Sequence, residues 1–381
     1  MAHPYLTTDH QIFRQSVRRF LEKEAVPHFS RWEDERLVPR DFWLKMGSQG
    51  FLCPMVEERY GGAGADFGYA VVLAEELERV GSGLGGIALH NDVVTPYIRD
   101  YATEEQKARW LPACVTGKII TAIAMTEPEA GSDLASIHTQ AIADGDAYIV
   151  SGQKTFITNG GQANLFVVAV KTNPTTIPPH AGMSLLLVEA STPGFQRGRV
   201  LTKMGQHSQD TAEIFFHDCR VPKENLLGKE GEGFRYLGTK LRQERLMVAI
   251  SAQASMERSL QITRDYVQQR VQFGHPLSTL QSVRFTMAEL ATRVAVSRAF
   301  LDTVITRHMS NGSTISEASM AKWWITDTAK QVIAQCLQLH GGNGYMEEYE
   351  ISRRYRDIAV MPIYAGTNEI MKSIIAKDLL G

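Results

Sequence analysis

The sequence predicts an α+β protein in which an N-terminal helical domain, a central β-domain and a C-terminal helical bundle follow one another. Apolar residues recur at helical spacing in the first and last parts of the chain, and the middle breaks into short β-branched stretches split by turn residues. Length agrees. The 381 residues, 44% hydrophobic and 22% charged, suit two or three domains of roughly 100 to 200 residues each. The expected divisions are 1–120, 121–226 and 227–381.

In the first division, Phe13, Val17, Phe20 and Leu21 share a helical face, with Thr7, Thr8 and Asp9 available as caps. A second helix fits ADFGYAVVLAEELERV, and a third fits TEEQKARWLPACV, where Thr103 and Gln106 have capping-box spacing. The β-stretches are IITAIAM, AYIVSG, NLFVVAVKT, MSLLLVEAS, RGRVLT and AEIFFHDCRV. From Gly231 helical spacing returns in long segments, as antiparallel bundle helices require. Pro96, in LHNDVVTPYI, is expected to interrupt or kink its helix. Gly81, Gly83 and Gly86 match a dinucleotide fingerprint, but the preceding segment has helical period, so they read as a helix end and turn.

With 40 Lys plus Arg against 42 Asp plus Glu, the net charge of -2 supplies no global field for nucleic acid or an anionic membrane. The expected partner is small. Cys53, Cys114, Cys219 and Cys336 lie far apart and read as reduced thiols, and the 11 histidines lack metal-ligand spacing, so no metal is expected. No apolar run approaches the roughly 18 residues that a membrane span needs, and the N-terminus has no secretory or transit pattern. The expected location is cytoplasmic, although a processed organellar protein would look the same.

The loop MTEPEAGSD, Met125 to Asp133, has backbone N–H groups and hydroxyls able to line a phosphate or flavin edge, yet its composition equally describes a polar turn. Its neighbours change that balance. AMTEPEAGSD, GQKTFITNGGQAN, RVQFGHPLSTLQ and the C-terminal QLHGGNGYMEEYEISRRYRD with PIYAGTNEIMKSIIA together resemble the acyl-CoA dehydrogenase family over essentially the whole chain.

The resemblance implies an acyl-CoA dehydrogenase-like fold with FAD extended between the β-domain and the C-terminal helices. It places Met125, Thr126, Phe156, Ile157 and Thr158 against the flavin ring, and Ser132 on the FAD pyrophosphate or the acyl-CoA. Phe156 stands where the family more often has Trp, which keeps the aromatic face and loses the indole donor. Arg270, Phe273 and Gln281 would hold the adenine end, with Gln338, Leu339, Gly341 and Gly342 approaching from a neighbouring subunit and Thr367 and Glu369 bracketing the cofactor. Taken singly, an Arg at a helix end faces water and a Gly pair ends a helix; their joint order carries the assignment.

Oxidising an acyl thioester to its 2-enoyl product requires removal of the α-proton as hydride leaves the β-carbon for the flavin, and a desolvated carboxylate is a suitable base. Many members place that Glu in an I-Y-E-G-T string. This chain reads Ile363, Tyr364, Ala365, Gly366, Thr367. The long-chain and isovaleryl-type subset instead carries it in a Q-E-R-L string on the first long C-terminal helix, which Gln243, Glu244, Arg245 and Leu246 match. Leu237, Leu241, Val248, Ser251 and Ser255 flank Glu244 at helical steps, so it faces an apolar and small-residue side. The bland alternative is an exposed Glu paired with Lys240, Arg242 or Arg245.

Arg245, Ser132, Tyr364, Ala365 and Gly366 are the expected substrate contacts, the Ala365 N–H and an FAD ribityl hydroxyl polarising the thioester carbonyl by resemblance. The expected function is FAD-dependent α,β-dehydrogenation of a fatty or branched acyl-CoA, with Glu244 taking the α-proton. Electron-transfer flavoprotein would accept the electrons, and the expected assembly is a homotetramer, or a dimer at minimum. The alternatives are an acyl-CoA oxidase that passes electrons to dioxygen, and an inactive flavin- or acyl-CoA-binding homologue.

Overall fold

A computed structural model describes residues 3–381. The helical first part comprises α1 (Thr8–Glu24), α2 (Phe29–Glu35), α3 (Arg40–Ser48), α4 (Phe67–Val80), α5 (Gly85–Ala88), α6 (Thr95–Tyr101) and α7 (Glu104–Val115). The expected capping box closes α7, since Thr103 N–H donates to Gln106 Oε1 at 2.9 Å and Gln106 N–H to Thr103 Oγ1 at 3.2 Å. The segment from Gly81 is a turn after α4, with no strand before it.

Pro96 behaves differently from the expectation. A π-helical turn, Leu89–Val94, joins α5 to α6, and Pro96 sits in the first turn of α6 directly after it. There the wider turn makes no demand for the missing N–H, so helical geometry runs on through the proline.

The β-domain holds β1 (Thr121–Ala124), β2 (Gln140–Asp144), β3 (Ala147–Thr158), β4 (Leu165–Lys171), β5 (Met183–Glu189), β6 (Phe195–Val200) and β7 (Thr211–Pro222). Its strand order is β1-β4-β2-β3-β7-β6, with β5 added on β4. The sequence reading did not anticipate β2. In QAIAD only Ala141 is buried, so the strand lacks the apolar content that marks β1, β4 and β5.

The C-terminal part comprises α8 (Gly233–Gln269), a short hairpin of β8 (Val271–Gln272) and β9 (His275–Pro276), then α9 (Gln281–Met309), α10 (Ile315–Leu339), α11 (Glu350–Asp357) and α12 (Asn368–Leu380). Two cores result. One joins the N-terminal helices to the β-sheet through Trp32, Trp43, Phe166 and Phe216, and the other fills the C-terminal bundle. Helix α4 belongs to both: Leu73, Leu77 and Val80 face the first, and Phe67, Ala70, Val71 and Ala74 face the second. A helix apolar on two sides is sandwiched between layers, and α4 thereby presses the N-terminal helices onto α8. Among the described residues no helix is long and apolar enough to cross a membrane.

Candidate active site

Glu244 lies on α8 opposite the π turn, where the Gln243 side-chain amide donates to the Asp92 carbonyl at 2.6 Å. The Glu244 Oε2 atom is buried and has no hydrogen-bond partner. Burial pushes its carboxyl up to about 7, against the opposing pull of Arg245. The other cations that sequence spacing offered are engaged elsewhere: Lys240 pairs with Asp100, and Arg242 donates to the Ser313 carbonyl at 3.0 Å. Glu244 is therefore a desolvated carboxyl rather than half of a surface ion pair.

Three more buried groups without partners lie around it. Arg245 Nε is the next residue's, the Tyr97 hydroxyl comes from α6, and both Asp92 carboxylate oxygens come from the π turn. Burial and then the Glu244 charge hold the Tyr97 phenol well above its usual range, while burial pushes Asp92 up to about 8. Buried polar atoms are nearly always satisfied, so such a group of orphans between α6, the π turn and α8 marks a place built for something else to fill.

The segment Ile363–Thr367 borders the same place. Ala365 and Gly366 both have positive φ, 56° and 87°, a conformation an Ala holds only where its surroundings over-determine it. They do so here. Tyr364 N–H donates to the Val360 carbonyl at 3.2 Å, Asn368 N–H closes the loop onto the Pro362 carbonyl at 2.9 Å, and Thr367 Oγ1 caps α12 by accepting from Ile370 N–H at 3.3 Å. A Cβ added to Gly366 would stand 3.9 Å from Arg245 Nη2, so Gly366 leads back to α8. Tyr364 is also within the field of Glu244. Glu369, in the first turn of α12, is exposed.

In the β-domain, Met125 and Thr126 follow β1 and are tied to β3, with Thr155 N–H donating to the Thr126 carbonyl at 2.9 Å and Lys154 Nζ to the Met125 carbonyl at 2.9 Å. The pairing of β3 with β7 slips by one residue between Lys154 and Ile157. This bulge gives Phe156 a φ of 59° and turns its ring outward, 68% exposed, beside buried Ile157 and half-buried Thr158. Ser132 is exposed on the preceding loop.

The loop is held by a buried ion pair. Lys154 Nζ lies 2.8 Å from Glu127 Oε1, and Glu127 also accepts from His138 N–H at 2.6 Å and Thr139 N–H at 3.0 Å. Removing one member of such a pair leaves the other charge buried, which costs about 3 to 5 kcal/mol. Glu127→Met is expected to lower stability by that amount in urea unfolding and to weaken whatever ligand rests on Met125 and Phe156; an unchanged midpoint would show that the pair is not an anchor.

The remaining expected site residues lie elsewhere in the chain. Arg270 is the exposed C-cap of α8, about 39 Å along the helix axis from Glu244 at the usual rise per residue. Phe273, 90% exposed with φ 53°, tips the β8–β9 hairpin, and Gln281 opens α9. Gln338 and Leu339 end α10 nearby, where Tyr266 of α8 donates its hydroxyl to the His340 carbonyl at 3.1 Å. A Cβ added to Gly341 or Gly342 would meet nothing within 4 Å. Gly341, at φ 58°, lets the chain turn left-handed after α10, whereas packing within this chain gives no reason for Gly342.

Models of the N-terminal, middle and C-terminal domains of acyl-CoA dehydrogenases match residues 7–118, 122–219 and 231–380. The chain belongs to the acyl-CoA dehydrogenase family. It is similar to the mitochondrial long-chain specific acyl-CoA dehydrogenase of Sus scrofa, 45% identical over 374 residues that span 98% of this chain and 87% of the relative. Among solved structures, an acyl-CoA dehydrogenase from Geobacillus kaustophilus superimposes with a TM-score of 0.98 at 62% identity, covering 100% of both chains. A chain in a structure titled for the electron transferring flavoprotein of Acidaminococcus fermentans gives a TM-score of 0.95 at 35% identity, again covering 100% of both. As a member of this family the chain is an FAD-dependent oxidoreductase acting on acyl-CoA.

In this acyl-CoA dehydrogenase the structure brings together Glu244, Arg245, Tyr364, Ala365, Gly366 and Thr367, and separately Met125, Thr126, Phe156, Ile157 and Thr158. It sets Arg270, with Phe273 and Gln281 beyond it, far along α8 from Glu244. The sequence reading missed Asp92 and Tyr97. The polar triplet His90, Asn91 and Asp92 inside an otherwise apolar helical stretch was the available signal.

Proposed function

We propose that this enzyme removes the α-proton of a fatty or branched acyl-CoA with Glu244, in an α,β-dehydrogenation that yields the trans-2-enoyl-CoA. One observation carries the reading: a carboxyl with a buried, partnerless oxygen, pushed up to about 7, in a chain whose usual Glu position is Ala365. A base poised near working pH is deprotonated often enough to act and basic enough to accept the proton. The residues present fit FAD. The outward Phe156 ring with Met125, Thr126, Ile157 and Thr158 offers an edge for a flavin, Ser132 a hydroxyl, and Thr367 and Glu369 a boundary. Bound there, the flavin supplies the two-electron acceptor that desaturation demands.

The Ala365 N–H meets the thioester oxygen, a contact that survives loss of the Glu side chain because the donor is backbone. Arg245 supports the acyl-CoA and Glu244, and Ala365 and Gly366 leave room beside the thioester. The adenine end falls to Arg270, Phe273, Gln281, Gln338, Leu339, Gly341 and Gly342 of a second copy. The roughly 39 Å between Arg270 and Glu244 and the open space at Gly342 support this, since one chain alone leaves them without a task. Such sharing needs at least a dimer, and we favour a homotetramer, with electron-transfer flavoprotein as the electron acceptor and a cytoplasmic setting.

The test is anaerobic bleaching of the flavin absorbance by a panel of straight and branched acyl-CoAs. Bleaching is expected, and the likeness to the long-chain enzyme favours the longer straight chains. Purified protein that binds acyl-CoA and never bleaches would make it an inactive homologue, and peroxide released on aerobic turnover would make it an oxidase.

A further inference from the structure

Lys322, on α10, is fully buried in a helix face shared with Ala318, Ile325 and Ala329 and with the buried hydroxyls of Ser319 and Thr326. Its Nζ donates to the Gly366 carbonyl at 2.8 Å and to Asn368 Oδ1 at 2.9 Å. Asn368 is itself fixed, donating through Nδ2 to Asp327 Oδ1 at 2.8 Å and Thr326 Oγ1 at 3.0 Å. Burial and the neighbouring Arg245 push the ammonium down to about 7, with Asp327 and Glu369 opposing. Burying a lysine with two neutral acceptors is unfavourable for stability alone, so the fold gains something by keeping it there.

The gain lies in the loop. Tyr364 N–H is pinned to the Val360 carbonyl, Asn368 N–H to the Pro362 carbonyl, and Thr367 is fixed as the cap of α12. Between those anchors the free torsions are those of Ala365 and Gly366, both in the left-handed region. Pinning the Gly366 carbonyl removes the freedom that remains. On the side where a Cβ would stand, Gly366 faces Met371 Cε, 2.9 Å from that Cβ position, with Arg245 Nη2 beyond at 3.9 Å. Lys322 Nζ therefore holds a strained peptide whose Ala365 N–H has no backbone partner among the described residues.

We propose that Lys322 is a positioning residue for the thioester: by clamping the Gly366 carbonyl it holds the Ala365 N–H at the angle that meets the carbonyl oxygen of a bound acyl-CoA. This rests on the reading of Ala365 given above. An oxyanion donor acts only if it is preorganised, and a loop free to flip its peptide would lose that advantage without losing the substrate's many other contacts. The clamp therefore governs turnover more than affinity.

The test compares the wild-type holoenzyme with Lys322→Met, which keeps the length and apolar stem, and Lys322→Gln, which keeps a neutral donor. The readouts are kcat, acyl-CoA Kd, FAD content, and the infrared carbonyl band of a bound trans-2-enoyl-CoA labelled with carbon-13 at the thioester. The expected result is a loss in kcat of about 10²-fold in Lys322→Met, with Kd held within about threefold and the band returned toward its free position; Lys322→Gln should fall between. Wild-type kcat and band position in Lys322→Met would overturn the clamp while leaving Glu244 as the base. A wild-type band that does not shift on binding would overturn the clamp together with the role of Ala365, even if acyl-CoA bleaches the flavin. If Lys322→Met does not fold, Lys322→Gln decides: a band and kcat equal to wild type sink the proposal, and a partial loss at unchanged Kd supports it.

Discussion

Glu244→Gln is expected to lower kcat by about 10⁴-fold, the upper range for a positioned proton acceptor, while FAD and acyl-CoA stay bound. The amide matches the carboxyl in shape, so a drop in kcat without a rise in Kd isolates the proton-transfer role. In the wild type, kcat/KM should rise with pH through about 7, because the carboxylate is the active form and burial holds its value there. The same shift acts on stability with a definite sign. The folded value is raised above the unfolded one near 4.5, so the native state keeps a proton that the unfolded chain has lost between about 4.5 and 7. Stability associated with Glu244 is full below the unfolded value and declines as pH rises to about 7. Glu244→Gln should therefore exceed the wild type in stability at pH 8 by up to about 3 kcal/mol, and the gap should close toward pH 5. Asp92, pushed up to about 8, adds its own slope to both proteins and cancels in the difference. A gap that stays constant with pH would mean that Glu244 is solvated, and equal turnover in both would mean that another carboxylate is the base.

Arg354→Met is expected to cause the largest loss of stability. Arg354, on α11, is fully buried and reaches across to the end of α4, donating to the Glu78 carbonyl at 3.2 Å, the Arg79 carbonyl at 3.0 Å and, within its own helix, to Glu350 Oε1 at 2.7 Å. Burial would raise Glu350, but Arg354 and Arg258 overcome it and hold the carboxyl down at about 2. Removing the guanidinium strands the last carbonyls of α4 and leaves Glu78 buried with less compensation, at about 3 to 5 kcal/mol. For a chain of this length that is a fall in Tm of about 5 °C. The Glu350 part of the effect is present above the ordinary Glu value and is lost as pH falls toward about 2, so the difference from wild type should shrink in acid. Because α11 leads into the Ala365 loop, activity should fall near the new Tm. A Tm within about 1 °C of wild type would show that the network adds specificity and little stability.

The sequence alone determined the order of helical, β and helical parts, because α4 and α8 repeat apolar residues at helical period while β4 is a short, continuous β-branched run bounded by turn residues. It also pointed to Glu244, through the resemblance of Gln243–Leu246 to the Q-E-R-L string together with Ala365 at the usual Glu position; the helical steps alone left an exposed, ion-paired Glu open. Those are local facts. Tertiary structure decided what the local pattern leaves open. Lys240 and Arg242, four and two residues before Glu244, were as available in sequence as Arg245, and only the packing of α8 against α6 and the Ser313 turn drew them away and left a carboxyl oxygen without a partner. Asp92 and Tyr97 were hidden because a π turn inserts an extra residue into a helix and rotates every later side chain, so ordinary helical spacing assigns them to the wrong face. Lys322 reads in sequence as one of four charges on α10, beside Glu317, Asp327 and Lys330; its meaning comes from Gly366, forty-four residues away and 2.8 Å from its nitrogen. Periodicity carries information about neighbours one turn apart. It carries none about which distant backbone carbonyl will be brought to a buried ammonium, because that depends on the packing of whole helices and not on any residue's preference.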